Sequence, residues 1–109
     1  MKWLLGKWAV MVVEGPSMRP TFVEGDRLLV RRRTEVRPGD VVVVPHPVIP
    51  GERMIKRVTA VPGDKDPTGS GRLVPDGKLV LQADDTGDSR KAGLLDASQV
   101  LGVVIRKVS

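Results

Sequence analysis

Glycine and proline interrupt this chain so often that long regular elements are ruled out. There are 12 Gly and 9 Pro in 109 residues, and many fall in clusters: Glu24-Gly25-Asp26, Arg37-Pro38-Gly39-Asp40, Pro62-Gly63-Asp64 and Pro75-Asp76-Gly77-Lys78. Between the clusters lie short apolar runs, heavily valine and leucine. They are Ala9 to Val13, Arg27 to Arg31, Val41 to Val44, Arg53 to Val61, Leu79 to Leu81 and Val100 to Val108. β-Branched runs of this length bounded by turn residues read as strands. The expected fold is mostly β, a single compact β-barrel-like core with little helix. A chain of this length buries roughly two-thirds of its unfolded surface, enough for one modest core. Val41 to Val44 is too apolar for a half-exposed strand and is expected at the centre of the sheet. Leu73-Val74 and Leu79-Val80-Leu81 flank the Pro75-Lys78 turn and predict a hairpin.

Composition removes several kinds of chemistry. Without cysteine there is no disulfide, zinc-finger spacing or thiol nucleophile. The carboxylates among residues 84–90 lack the EF-hand spacing and its closing glutamate, so no metal or other cofactor is expected. The formal charge of +5 and pI near 10.1 suit a solvated basic face, or attraction to an anionic membrane, a nucleic acid or an acidic substrate. Trp3, Trp8 and Phe22 are the only aromatics, too few for stacking on single strands, so no nucleic-acid partner is expected. The apolar stretch Trp3 to Val13 contains Lys7 and is shorter than the roughly 20 residues a spanning helix needs. It also lacks the cleavage pattern of a complete signal peptide. Residues 1–12 are therefore a partial anchor or a first strand, ahead of a main domain over 13–109. A cytoplasmic or membrane-peripheral location follows, with peripheral contact to an anionic bilayer.

Candidate chemistry gathers at two places. Gly15-Pro16-Ser17-Met18-Arg19-Pro20-Thr21 sets a hydroxyl on a loop that two prolines stiffen, directly after an apolar run. In Arg53 to Val61, strand alternation puts Lys56 on one face with Met54, Val58 and Ala60. A lysine so placed either snorkels to the strand edge as a cation or is desolvated into a neutral amine that can accept a proton. The sole histidine, His46, lies among Pro45, Pro47 and Pro50 with no acid or nucleophile nearby in sequence, so a Ser-His-Asp set is not available. A serine and a neutral lysine can do equivalent work.

The blocks Ser17-Met18-Arg19-Pro20-Thr21, Gly25-Asp26, Gly39-Asp40-Val41-Val42-Val43 and Lys56-Arg57-Val58 through Pro62-Gly63-Asp64, in this order, resemble the type I signal peptidase family of Ser/Lys proteases. The resemblance spans residues 13–102. It implies a β-rich catalytic core, Ser17 as nucleophile, Lys56 as general base and the Ser17 backbone N–H as oxyanion donor. An extended substrate segment would add to a strand edge beside the serine, with Val12, Val13, Gly15 and Met18 as the expected contacts. Thr86, Asp88 and Arg90 match the positions that orient the lysine and support the site. The implied partner is a precursor protein carrying an N-terminal leader.

This chain departs from the family pattern in the last block. Ala83-Asp84-Asp85 runs directly into Thr86-Gly87-Asp88-Ser89-Arg90, with Thr86 where the family has serine. Gly15 occupies a place where some members add a side-chain hydroxyl to the oxyanion hole. The absence of a large insertion domain and of a complete anchor makes the chain similar to short maturation proteases, those that trim nickel-type superoxide dismutase precursors and those of the mitochondrial inner membrane. A dedicated maturation protease of the nickel-superoxide-dismutase type is the favoured expectation. A general signal peptidase cleaving secretory precursors is the alternative. From another class comes a non-catalytic basic β-barrel that binds nucleic acid or anionic membrane.

Overall fold

The valine-rich runs pair into one antiparallel sheet. The computed structural model describes residues 3–32, 35–67, 69–85 and 93–109. Its strands are β1 (Trp8–Val12), β2 (Arg27–Arg31), β3 (Val41–Pro45), β4 (Arg53–Ala60), β5 (Lys78–Gln82), β6 (Gly93–Asp96) and β7 (Gly102–Lys107), with one short 3-10 turn at Ala97–Gln99. The order across the sheet is β1-β2-β7-β3-β4-β5-β6, and the sheet curls into a half-barrel. The mostly β expectation is met.

β3 lies fourth of the seven, and all four of its valines are buried, as a run apolar on both faces requires. Val41 and Val43 join Ala9, Val13, Met18, Leu28, Val30 and Ile55 in one core cluster. Val42 and Val44 join Val58, Leu79, Leu81 and Val103 in a second. Alternate residues of one strand thus supply two cores, and β3 is the partition between them.

Three turns hold the strands in register by the same device. In Val23-Glu24-Gly25-Asp26, Arg37-Pro38-Gly39-Asp40 and Val61-Pro62-Gly63-Asp64, the aspartate N–H donates to the carbonyl three residues earlier, at 3.0, 3.1 and 3.0 Å. Its carboxylate accepts that same residue's N–H, at 2.9, 2.9 and 3.0 Å. The third residue sits at φ of +92°, +94° and +88°, which only glycine adopts without strain.

Two sequence expectations need correction. Leu73-Val74 does not form a hairpin with β5. Val74 instead exchanges backbone hydrogen bonds with Gly63 and Asp64, and Leu73 bridges Lys65. The Pro75-Lys78 turn exists, but the strand it leads into pairs with β4 and β6. The edge strand β6 was not foreseen, because Gly93-Leu94-Leu95-Asp96 is four residues long and does not alternate.

The N-terminal segment is built into the sheet. β1 pairs residue for residue with β2, from Trp8 opposite Arg31 to Val12 opposite Arg27. The Arg31 guanidinium lies 4.7 Å from the centre of the Trp8 ring, and Arg32 lies 4.6 Å from Trp3. Two of the three arginines in the Arg31-Arg33 run are thus engaged with the chain's own aromatics.

Candidate active site

A cleft of about 580 Å³ opens where the curl brings β1 towards the start of β4. Val10, Met11 and Val12 line it on the β1 side, His46 with Gly51 to Lys56 on the β4 side, and Glu14 to Ser17 complete the lining. Its volume falls within the range of substrate sites. Ser17 and Lys56, 39 positions apart in the chain, line this one cleft.

Both walls are strand edges with spare hydrogen-bonding capacity. β1 has β2 on one side and, among the described residues, no strand on the other. β4 pairs with β3 from Arg53 to Arg57, but β5 joins its other side only from Arg57 onward. The second edge of Arg53 to Lys56 is therefore left open by the described strands. β5 ends at Gln82, and the chain beyond it turns towards the serine loop, where the Asp85 N–H donates to the Ser17 carbonyl at 2.9 Å.

The serine loop is held from below and from the side. Met18 is fully buried in the first core cluster, so the residue next to Ser17 is a packing anchor. The Phe22 N–H donates to the Met18 carbonyl at 2.9 Å, and the Arg19 N–H to the Pro16 carbonyl at 3.1 Å. Laterally, the Thr21 hydroxyl donates to Asp84 Oδ2 at 2.7 Å. Asp84 in turn accepts from Arg57 through Nε at 3.1 Å and Nη2 at 2.6 Å, a two-pronged ion pair. Arg57 Nη1 also donates to the Gly39 carbonyl at 2.8 Å. Burial would raise the Asp84 pKa, but the hydrogen bonds from Arg57 and Thr21, with the Arg57 charge, outweigh it and hold the carboxyl below its ordinary value. The Asp84 bond raises the Arg57 pKa in return. This clamp ties the serine loop to the residue after Lys56.

Lys56 is 8% exposed, so nearly all of the residue is withdrawn from water. It stands opposite the fully buried Val42 in the β3–β4 ladder and shares that face of β4 with the buried Val58 and Ala60. Ser17 is half-buried. Its carbonyl is taken by Asp85, whereas its N–H and hydroxyl have no hydrogen-bond partner among the described residues.

The remaining expected residues divide cleanly. Val12 and Gly15 line the cleft. Val13 and Met18 do not; both are core residues, and Val13 spends its N–H on Asp26 and its carbonyl on Gly25. Thr86, Asp88 and Arg90 lie outside the described residues. Sequence reading missed the Arg57–Asp84–Thr21 clamp and the place of His46 in the far wall. Strand alternation could show only that Arg57 faces away from Lys56, and no local pattern pairs it with a carboxylate 27 positions on. Among the described residues, no cluster of side chains suited to hold a metal ion occurs, and no helix is long and apolar enough to cross a membrane.

Comparison with known proteins gives the chain its relatives. The family model described as signal peptidase, peptidase S26, matches residues 4–80, the stretch that carries both Ser17 and Lys56. Mitochondrial inner membrane protease subunit 1 of Schizosaccharomyces pombe is 33% identical over 113 residues, covering 91% of this chain and 72% of that protein. The mitochondrial ATP-independent inner membrane protease subunit 1b of Arabidopsis thaliana is 34% identical, covering 86% of this chain and 66% of that protein. Mitochondrial inner membrane protease subunit 1 of Mus musculus is 30% identical, with 91% and 68% covered.

Proposed function

The chain belongs to the signal peptidase family, peptidase S26, as a serine-type peptidase, and on that premise we propose that it removes the leader from a precursor protein with a Ser17–Lys56 dyad. The observation that carries the reading is that Ser17 and the buried Lys56 line one cleft, between two strand edges left open. An extended peptide can enter as an added strand, its backbone paired by β1 around Val12 and by the open half of β4. Gly15 leaves room for the backbone at the bend, while Val13 and Met18 act through the core, fixing the loop from beneath.

In this reading burial favours the neutral amine of Lys56. Lys56 Nζ takes the Ser17 hydroxyl proton as Oγ attacks the scissile carbonyl carbon. The tetrahedral oxyanion is held by the Ser17 N–H, with no hydroxyl at position 15 to assist. The lysine returns its proton to the departing amine as the C–N bond breaks, leaving an ester on Ser17. Water then attacks that ester, giving a proton to Lys56, which passes it to Ser17 Oγ as the ester C–O bond breaks and the new carboxyl terminus leaves. The Arg57–Asp84–Thr21 clamp keeps the two partners at a fixed separation. Thr86, Asp88 and Arg90 complete the proposal as the groups that aim the lysine and support the loop.

The substrate is the narrower part of the proposal. The relatives' names place them at a membrane, and the +5 charge of this chain suits peripheral attachment to an anionic one. A dedicated maturation role, including one on a nickel-superoxide-dismutase-type leader, and general processing of secretory precursors both use this cleft. Incubating the protein with each class of precursor and sequencing the new N-termini separates them. One site in one leader supports dedicated maturation, and cleavage after small residues across many secretory precursors supports the general role. Intact precursors of every class, from protein that is folded and monodisperse, would overturn the peptidase reading.

A further inference from the structure

His46 belongs to the cleft yet has no part in the dyad. It follows β3, and its N–H donates to the Glu52 carbonyl at 2.8 Å, extending the β3–β4 hairpin by one step. Its ring is fixed by an unusual pair of bonds: Nδ1 accepts the backbone N–H of Val48 at 3.1 Å and of Ile49 at 3.0 Å. An amide can only donate, so Nδ1 carries no proton. The neutral ring then carries its proton on Nε2, which leaves a donor on the edge of the ring that the loop does not occupy.

An extended peptide in the cleft needs such a donor. Each residue of a strand carries one N–H and one C=O, directed alternately to its two sides. β1 can serve one side. The open edge of β4 serves the other only from Arg53 to Lys56, a span of about 10 Å at strand spacing. Beyond Arg53 the far wall is no longer strand. It is the His46–Glu52 loop, and His46 and Glu52 both line the cleft there. A peptide carbonyl that passes the end of β4 has no ladder partner on that side.

We propose that His46 is a substrate-binding residue of an outer subsite, where Nε2–H hydrogen-bonds a backbone carbonyl of the peptide three to four residues from the scissile bond. Nδ1 meanwhile holds the loop that forms this wall. The inference rests on the Ser17–Lys56 reading, because the position of the scissile bond is taken from those two residues. Since the contact is to backbone, the subsite selects for length and extended conformation of the leader, with little preference for side chain.

The test separates the two nitrogens. In His46→Asn the side-chain oxygen can accept the Val48 and Ile49 N–H groups, but the distal donor is gone. In His46→Ala both are lost. With a synthetic leader peptide reaching at least five residues to either side of the cleaved bond, His46→Asn is expected to raise KM about fivefold, the size of one lost hydrogen bond, with kcat unchanged. Peptides truncated to two residues on the side that lies along Arg53 should be cleaved alike by parent and variant; truncations at each end identify that side. Amide exchange at Val48 and Ile49 should quicken in His46→Ala and return to the parent rate in His46→Asn. An unchanged KM for the long peptide, a change confined to kcat, or an equal effect on the truncated peptide would overturn the subsite. Cleavage that survives Ser17→Ala would instead remove the dyad on which it rests, so the two failures are distinct.

Discussion

Asp84 accepts from Arg57 and Thr21 together, and the consequences of that single carboxylate can be worked out in pH. Its folded pKa lies below the ordinary 3.8, so the bonded carboxylate stabilises the folded chain fully above that value. The contribution is lost as pH falls through the lowered folded value, when the carboxyl protonates and Arg57 is left without its counterion. Asp84→Asn keeps an oxygen for Thr21 but not the charge. It should lower stability at pH 7 by about 1–2 kcal/mol, a modest figure because the pair is partly solvated. It should also flatten the acid limb of the stability curve below about pH 4. Thermal melting of both proteins across pH 2.5–7 checks this. Parallel curves would mean that Asp84 has no special share in acid sensitivity. At this scale the sequence was only half legible. Ser17 stood out by the prolines around it and Lys56 by the apolar face it occupies. Arg57 and Asp84 each looked like ordinary surface charges, because what matters about them is a contact made only after β4 and the end of β5 are side by side.

Among the elements, β7 shows how tightly the sheet closes on the N-terminal segment. A Cβ on Gly102 would stand 2.6 Å from Val30 Cγ1, 2.9 Å from the Arg31 carbonyl oxygen and 2.9 Å from the Trp3 ring. The backbone oxygen cannot step aside without breaking the sheet near the β2–β7 ladder. Gly102→Ala should therefore cost about 1–3 kcal/mol, the usual range for overpacking. It should also displace Trp3, visible as a red shift of tryptophan fluorescence. Unchanged emission and melting would show that the close approach is not maintained in solution. Elements were largely legible where pattern was strong: four consecutive valines announced a central strand, and the Gly-Asp turns marked the strand boundaries. β6 and the return of Leu73-Val74 to residues 63–65 were not, because short apolar pairs beside a turn are compatible with several partners. Sheet topology chose among them.

For the whole molecule, the central claim is that the curl of one sheet turns residues 39 positions apart into a single reacting pair. Neither strand periodicity nor composition places the two residues together; the cleft between β1 and β4, which both line, does. β1 and β4 serve at once as core strands and as walls of the cleft. The most direct measurement is covalent labelling of Ser17 by an acylating active-site inhibitor, followed by intact mass and peptide mapping. The account predicts one acyl group on the parent protein, located on Ser17, and none on Ser17→Ala. Lys56→Met, similar in length but unable to take a proton, should remain folded by circular dichroism and acquire the label at least a hundredfold more slowly, the scale of general-base catalysis. Labelling of Ser17 at the parent rate in Lys56→Met, or a label carried by any other residue, would contradict it.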